Sequence, residues 1–228
     1  VQDLESIKNE LITAGKRLYD RGYVAANDGN ISVRLDENSV LITPSGVSKG
    51  FMQAEDLIIL DMTGHLFAGK KKPSSESRMH IQIYKARADV SCVCHAHPPF
   101  ATGFAVAGIA LNKMVLPEAV LVLGTIPVVE YGTPGTDELY RSISRYIMDY
   151  DALLLANHGA LTVGDTLLNT YHKMETLEHA AKIQFIARQL GKVNELNKKQ
   201  VIQLLDLRAN LGISQERGFK PKKRTSKA

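Results

Sequence analysis

Apolar residues at the start of the chain recur at helical spacing. Leu4, Ile7, Leu11, Ala14 and Leu18 form one stripe of an amphipathic helix over residues 4–19, and Gly22 is its natural stop. Two β-rich runs, ISVRL and SVLIT, follow with Asp36-Glu37-Asn38 between them, which predicts a hairpin. Its end loops, 27–30 and 43–46, should lie side by side, because an antiparallel hairpin returns to its starting edge. Strands are predicted at 57–61, 65–68, 90–95 and 126–131, and at 152–156 and 160–163 on either side of Asn157-His158-Gly159. Helices are predicted at 75–88, with Met79, Ile83 and Ala86 on the inner face, and from Pro98 to 106. A further helix carries Leu139, Ile143 and Ile147 on one face, and two more cover residues 165–190 and 198–211. Strands and helices alternate irregularly, with no repeat and no linker rich in Pro, Gly or Ser, so a single α/β layered structure fits best.

Length and charge narrow this picture. The 228 residues suit one domain, expected over 1–214. Basic residues exceed acidic ones by 28 to 24, but Lys220, Lys222, Lys223, Arg224 and Lys227 sit in the last nine positions, and setting them aside leaves 23 against 24. The basic character therefore belongs to a tail, expected to be disordered over 215–228, and a nucleic-acid partner is not expected. The longest apolar run, near 115–123, is about half the ~20 residues a membrane span needs, so no membrane partner is expected either. The first residues lack the basic start and apolar core of a secretory signal, although the missing Met leaves room for a lost leader. Cys92 and Cys94, two apart in a β-like run, are poorly placed for a disulfide, and a reducing, cytoplasmic setting is expected.

Chemistry concentrates in Cys92-Val93-Cys94-His95-Ala96-His97. Alternation along a strand turns His95 and His97 to one face and both cysteines to the other. Such a pair reads either as strand-end histidines or as two metal ligands, and His158, in a tight turn between two apolar strands, is the natural third nitrogen. Three histidines with an open position is an arrangement used by catalytic zinc. His65, His80, His172 and His179 read as structural, on a turn or on helix surfaces. Pro73-Ser74-Ser75-Glu76 opens a helix; alone it is an ordinary cap, but with Gly29-Asn30 and Ser45-Gly46 it makes a phosphate cradle of amides and hydroxyls.

Five motifs, GNIS at 29–32, TPSG at 43–46, PSSE at 73–76, HAH at 95–97 and HG at 158–159, occur in this order, and through them the chain resembles the class II aldolase and adducin family from about Leu4 to Leu211. The resemblance implies a three-layer αβα sandwich around a mixed, largely antiparallel sheet. It also implies a cyclic homotetramer (C4) with the site between neighbouring subunits. A divalent metal, normally Zn2+ with Mn2+, Co2+ or Fe2+ as substitutes, would be held by His95, His97 and His158, with Glu76 as a displaceable fourth ligand. Gly29, Asn30, Ser45, Gly46, Ser74 and Ser75 would hold a substrate phosphate. Glu76 would be the acid/base group of a lyase that cleaves a ketose 1-phosphate to dihydroxyacetone phosphate and an aldehyde. Leucines, Leu116 and Leu211, fall where aldolases of this family carry tyrosines, which favours a 5-deoxy or 5-methylthio pentulose 1-phosphate over a polyol such as L-fuculose 1-phosphate. Glu118 falls near the catalytic glutamate of related methylthioribulose-1-phosphate dehydratases, and is alternatively a helix- or strand-end carboxylate paired with an Arg or Lys of a neighbouring subunit. Dehydration, decarboxylation of a sugar-acid phosphate and a non-enzymatic, adducin-like oligomeric module are therefore the alternatives.

Overall fold

Eight strands make one sheet in the computed structural model, which describes residues 3–213 and 217–219. They are β1 (Asn30–Arg34), β2 (Ser39–Ile42), β3 (Ile58–Asp61), β4 (Leu66–Ala68), β5 (Cys92–Ala96), β6 (Val128–Val129), β7 (Ala152–Leu155) and β8 (Gly159–Gly164), in the spatial order β4-β3-β2-β1-β5-β8-β7-β6. Every neighbouring pair is antiparallel except β6 with β7, so the sheet is mixed and largely antiparallel as expected. The helices are α1 (Leu4–Asp20), α2 (Ser77–Ala86), α3 (Pro99–Val106), α4 (Pro117–Val122), α5 (Asp137–Ser144), α6 (Leu167–Gln189) and α7 (Lys198–Asn210).

Side-chain alternation along the strands builds the three layers. On one face Ile31, Leu41, Cys94 and Leu154 meet Leu11 and Leu18 of α1, Phe104 of α3, and Met174 and Leu177 of α6. On the other face Val40, Val93, Leu161 and Val163 meet Met79 and Ile83 of α2, and Leu139 and Ile143 of α5. Cys92 and Cys94 are buried and unpaired, small residues of the first core. Among the described residues no helix is long and apolar enough to cross a membrane.

Local differences from the pattern have physical causes. The apolar run 115–123 contains α4, invisible to periodicity because it has no polar stripe; Pro117 starts it with a φ suited to a first helical turn. The strand expected over 126–131 contracts to Val128–Val129 and an isolated bridge between Leu111 and Ile126. Ile147 keeps its place in the core but lies in turns beyond α5. Of the tail expected at 215–228, only Arg217, Gly218 and Phe219 are described. Gly218 N–H donates to Asp149 O at 2.8 Å and Thr125 N–H donates to Gly218 O at 2.8 Å, while the rest of the expected tail lies outside the described residues.

Candidate active site and metal centre

The register of the central strands creates the site. Asn30 of β1 pairs with His95 of β5, which pairs with Leu161 of β8, so the ends of three strands open at one edge of the sheet. His95 is the fourth residue of β5, His97 lies just past the strand end, and His158 comes from the turn that joins β7 to β8. That turn has Asn157 at φ 55°, a left-handed conformation an asparagine tolerates. Gly159 has no such backbone and supplies room instead: a Cβ there would stand 2.5 Å from His97 Cδ2 and 2.6 Å from Ala96 O.

The three rings converge, with centroids 4.6–5.2 Å apart and one ligand atom of each within 4.8 Å of the others. His95 Nδ1 lies 2.9 Å from Ala160 O, so it carries the proton and Nε2 turns its lone pair into the cluster. That Nε2 stands 3.1 Å from His97 Nε2, while His97 Nδ1 faces Asp28 at 3.6 Å. Glu76 completes the group, with Oε2 3.4 Å from His95 Nε2 and Oε1 3.2 Å from His158 Nε2. Four donors with bonds of ~2.0–2.1 Å to one tetrahedral ion stand about 3.3 Å apart. The spacings of 3.1, 3.2 and 3.4 Å match that edge, the three imidazole donors lie within 4.8 Å of one another, and Glu76 Oε1 is a buried atom with no hydrogen-bond partner, so the residues present fit a divalent cation.

Electrostatics keeps the donors in the required state. Burial pushes the His95 imidazole down to about 4, against the raising effect of Glu76, and burial likewise lowers His158. The lone pairs of His95 and His158 are therefore free at neutral pH. Burial acts to raise the Glu76 carboxyl, but the facing His95 and His158 rings and the Asn30 amide outweigh it and hold the group below its ordinary value.

Three hydrogen bonds tie the three candidate phosphate loops together. Ser45 N–H donates to Lys72 O at 2.9 Å, joining loop 43–46 to the segment before α2. Lys49 Nζ donates to Asn27 O at 2.9 Å and to Val47 O at 3.1 Å, joining that loop to 27–30. Gly29 abuts His95 O, and its φ of 71° and that of Gly46, 73°, suit glycine. Ser45, Gly46 and Ser75 are exposed, and Ser74 Oγ accepts from Glu76 N–H at 3.3 Å. Asn30 sits differently from the rest: it is buried, its Nδ2 donates to Glu76 Oε2 at 2.9 Å and its Oδ1 is taken by His80.

Glu118 does not join the histidines of its own chain. It lines a separate cavity of about 290 Å³ with Leu116, Ala119, Thr176, His179 and Ala180, and Leu211 is exposed on the surface. His80, expected on a helix surface, is fully buried, whereas His65, His172 and His179 are exposed. The signal for His80 was its place four residues after Glu76, one helical turn along the same face. Lys49 carried no such signal. Burial pushes its ammonium down to about 8, against the raising effects of Asp28 and Glu76.

Residues 9–185 match the family described as the class II aldolase and adducin N-terminal domain. The chain belongs to that family. It is 39% identical over 181 residues to an L-fuculose phosphate aldolase of Methanococcus maripaludis, covering 79% of this chain and 97% of that protein. It is 34% identical over 201 residues to a 3-oxo-tetronate 4-phosphate decarboxylase of Haemophilus influenzae, covering 86% and 95%. A solved L-fuculose 1-phosphate aldolase superposes with a TM-score of 0.83 at 32% identity, covering 90% of this chain and 97% of that one. The L-fuculose-1-phosphate aldolase of Thermus thermophilus superposes at 0.73 and 31%, covering 82% and 97%.

Proposed function

We propose that this chain is a metal-dependent lyase that cleaves a ketose 1-phosphate, of the L-fuculose type or a 5-deoxy or 5-methylthio pentulose, to dihydroxyacetone phosphate and an aldehyde. The observation that carries the reading is the seat of Glu76, whose carboxylate lies 3.2 Å from His158 and 3.4 Å from His95 with one oxygen tied to Asn30. A divalent cation held by His95, His97 and His158, with Glu76 as a displaceable fourth ligand, supplies Lewis acidity at the substrate carbonyl; the donor set suits Zn2+, with Mn2+, Co2+ or Fe2+ as substitutes.

Glu76 Oε2 is held by Asn30, which leaves Oε1 as the atom that carries a proton. As the C3–C4 bond breaks, the Glu76 carboxylate takes the proton that the C4 hydroxyl gives up in becoming the aldehyde and passes it to C3, ending as a carboxylate again; in the condensing direction the same proton runs back. Ser45, Gly46, Ser74, Ser75 and Gly29 hold the phosphate with hydroxyls and backbone amides, and Lys49 places a cation under the joined loops. Asn30 contributes its remaining N–H at most, since its other groups are committed. Binding energy from the phosphate, away from the breaking bond, orients that bond toward Glu76.

The aldehyde end is assigned to a neighbouring copy in a cyclic homotetramer, because Leu116 and Glu118 line a cavity apart from the histidines of their own chain. Two buried, unpaired cysteines suit a reducing, cytoplasmic setting. The test is release of dihydroxyacetone phosphate, by coupled assay on metal-loaded and chelated protein, from L-fuculose, L-rhamnulose, 5-deoxyribulose and 5-methylthioribulose 1-phosphates. Metal-dependent release ranks the aldehyde pocket. Glu76→Gln should keep metal and lose turnover; near-normal activity in that variant hands the acid/base role to Glu118 and dehydration. Decarboxylation is the second reading, favoured by the likeness to the Haemophilus protein. Carbon dioxide release from 3-oxo-tetronate 4-phosphate, with no cleavage of the ketose phosphates, would select it.

A further inference from the structure

Behind Glu76, an unbroken line of buried polar groups runs into the protein. Glu76 Oε2 accepts from Asn30 Nδ2 at 2.9 Å, Asn30 Oδ1 faces His80 Nε2 at 2.5 Å, His80 Nδ1 faces Ser32 Oγ at 2.6 Å, and Ser32 Oγ faces Tyr84 Oη at 2.7 Å. Asn30, Ser32, His80 and Tyr84 are all buried, so none of them readily replaces a partner with water. Two periodicities bring them together. Asn30 and Ser32 are alternate residues on one face of β1, while Glu76, His80 and Tyr84 are four apart along the start and face of α2.

The polarity of the line follows from its first link. A carboxylate only accepts, so Asn30 turns its NH2 to Glu76 and its carbonyl to His80. That carbonyl needs a donor, which places the imidazole proton on His80 Nε2. Burial pushes His80 down to about 3, so the ring is neutral and Nδ1 is an acceptor. The Ser32 hydroxyl then donates to Nδ1 and accepts from the Tyr84 hydroxyl. Turning the Asn30 amide over would set its oxygen against the carboxylate and an N–H against the N–H of His80.

We propose that His80 is a positioning residue for the acid/base glutamate: Ser32 and Tyr84 hold its ring as the Nε2–H tautomer, which locks the Asn30 amide with its NH2 on Glu76 Oε2 and leaves Oε1 free to face substrate. The inference rests on the acid/base reading of Glu76, but its structural half can be read without any turnover.

Histidine-selective 15N labelling and two-bond 15N–1H correlation of the wild-type protein at neutral pH should show His80 with a protonated Nε2 and a bare Nδ1, its signals assigned by their loss in His80→Gln. An Nδ1–H tautomer or an imidazolium at that position overturns the proposal. In the kinetic arm, His80→Ala and Ser32→Ala should lower kcat about 10- to 100-fold with KM and metal content near wild type. His80→Gln should recover most of that loss, because its NH2 reaches toward Asn30 Oδ1 while its carbonyl accepts from Ser32. Unchanged kcat in a folded His80→Ala, or a folded His80→Gln as slow as the alanine variant, overturns it as well. If the wild-type protein cleaves none of the substrates, the acid/base reading fails, whereas the tautomer spectrum still decides the polarity of the line.

Discussion

Gly159→Ala tests the geometry of the metal centre with a single methyl group. Gly159 has no left-handed backbone to protect, so the substitution is a steric one. The new Cβ would lie 2.5 Å from His97 Cδ2 and 2.6 Å from Ala96 O, where ordinary contact begins near 3.4 Å, a shortfall of about 0.9 Å on the ring side. Ala96 O belongs to β5, which is paired along its length with β8, so the strand cannot readily give way. The His97 ring must move instead, and by several times the ~0.2 Å that metal–ligand distances tolerate. A chelator-competition titration should therefore show metal affinity reduced by at least about 10- to 100-fold, with turnover falling in step. Melting of the metal-free protein should show only the ~1–3 kcal/mol of an overpacked site. Gly103→Ala is the control: Gly103 lies inside α3 with nothing within 4 Å of a new Cβ, and this change should leave metal binding alone and stabilise by about 0.5–1 kcal/mol. Wild-type metal affinity in a folded Gly159→Ala variant would refute the convergence of His95, His97 and His158 described above.

Three further outcomes follow from buried charge. Asp151→Ala should destabilise by about 3–5 kcal/mol in urea unfolding, because it leaves the buried Lys173, 2.8 Å from that carboxylate, without its counter-ion, and strips the buried Arg87 of one of its two, Asp89 being the other. Chelation should lower the Tm and abolish turnover together, with readdition of one divalent ion per chain restoring both, since binding to the folded form alone adds stability. Metal-free protein should lose stability on acidification through the His80 window: its folded value near 3 lies below the unfolded value of ~6.5, so the unfolded chain takes up the proton first and stability present above pH ~6.5 falls as pH drops. The slope between pH 6 and 4 should exceed that of His80→Gln by up to about 1.4 kcal/mol per pH unit, and parallel curves would show that His80 is not held neutral.

The elements that place the site were legible where apolar periodicity was clean. The α1 stripe, the β1–β2 hairpin and the opposite faces of Cys94 and His95 all follow from spacing, and the hairpin brought loops 27–30 and 43–46 together as its geometry requires. What escaped had no apolar signature. α4 lies in a run whose one charged residue, Glu118, leaves no polar stripe to read, and β6 has only two paired residues, Val128 and Val129. His80 and Tyr84 meet Asn30 and Ser32 through a polar seam, and a reading that follows leucines and valines sees such a seam as helix surface. Lys49 was hidden for a related reason, since its burial depends on two carbonyls from different loops.

The same distinction divides the site by the precision each part needs. Convergent ligands must hold to tenths of an ångström, and His95 and the turn bearing His158 sit on the β5–β8 and β7–β8 pairings at the middle of the sheet. A phosphate accepts hydrogen bonds from many directions, and its candidate holders lie on loops joined by Ser45 to Lys72 and by Lys49 to Asn27 and Val47. Glu76 belongs to neither set: it stands at the N-terminal end of α2, between the loops and the strands, and under the proposed function it would give up the cluster when substrate arrives. A group with that freedom needs one oxygen anchored while the other moves, and Asn30, itself on β1 and backed by His80, is the anchor that the sheet provides.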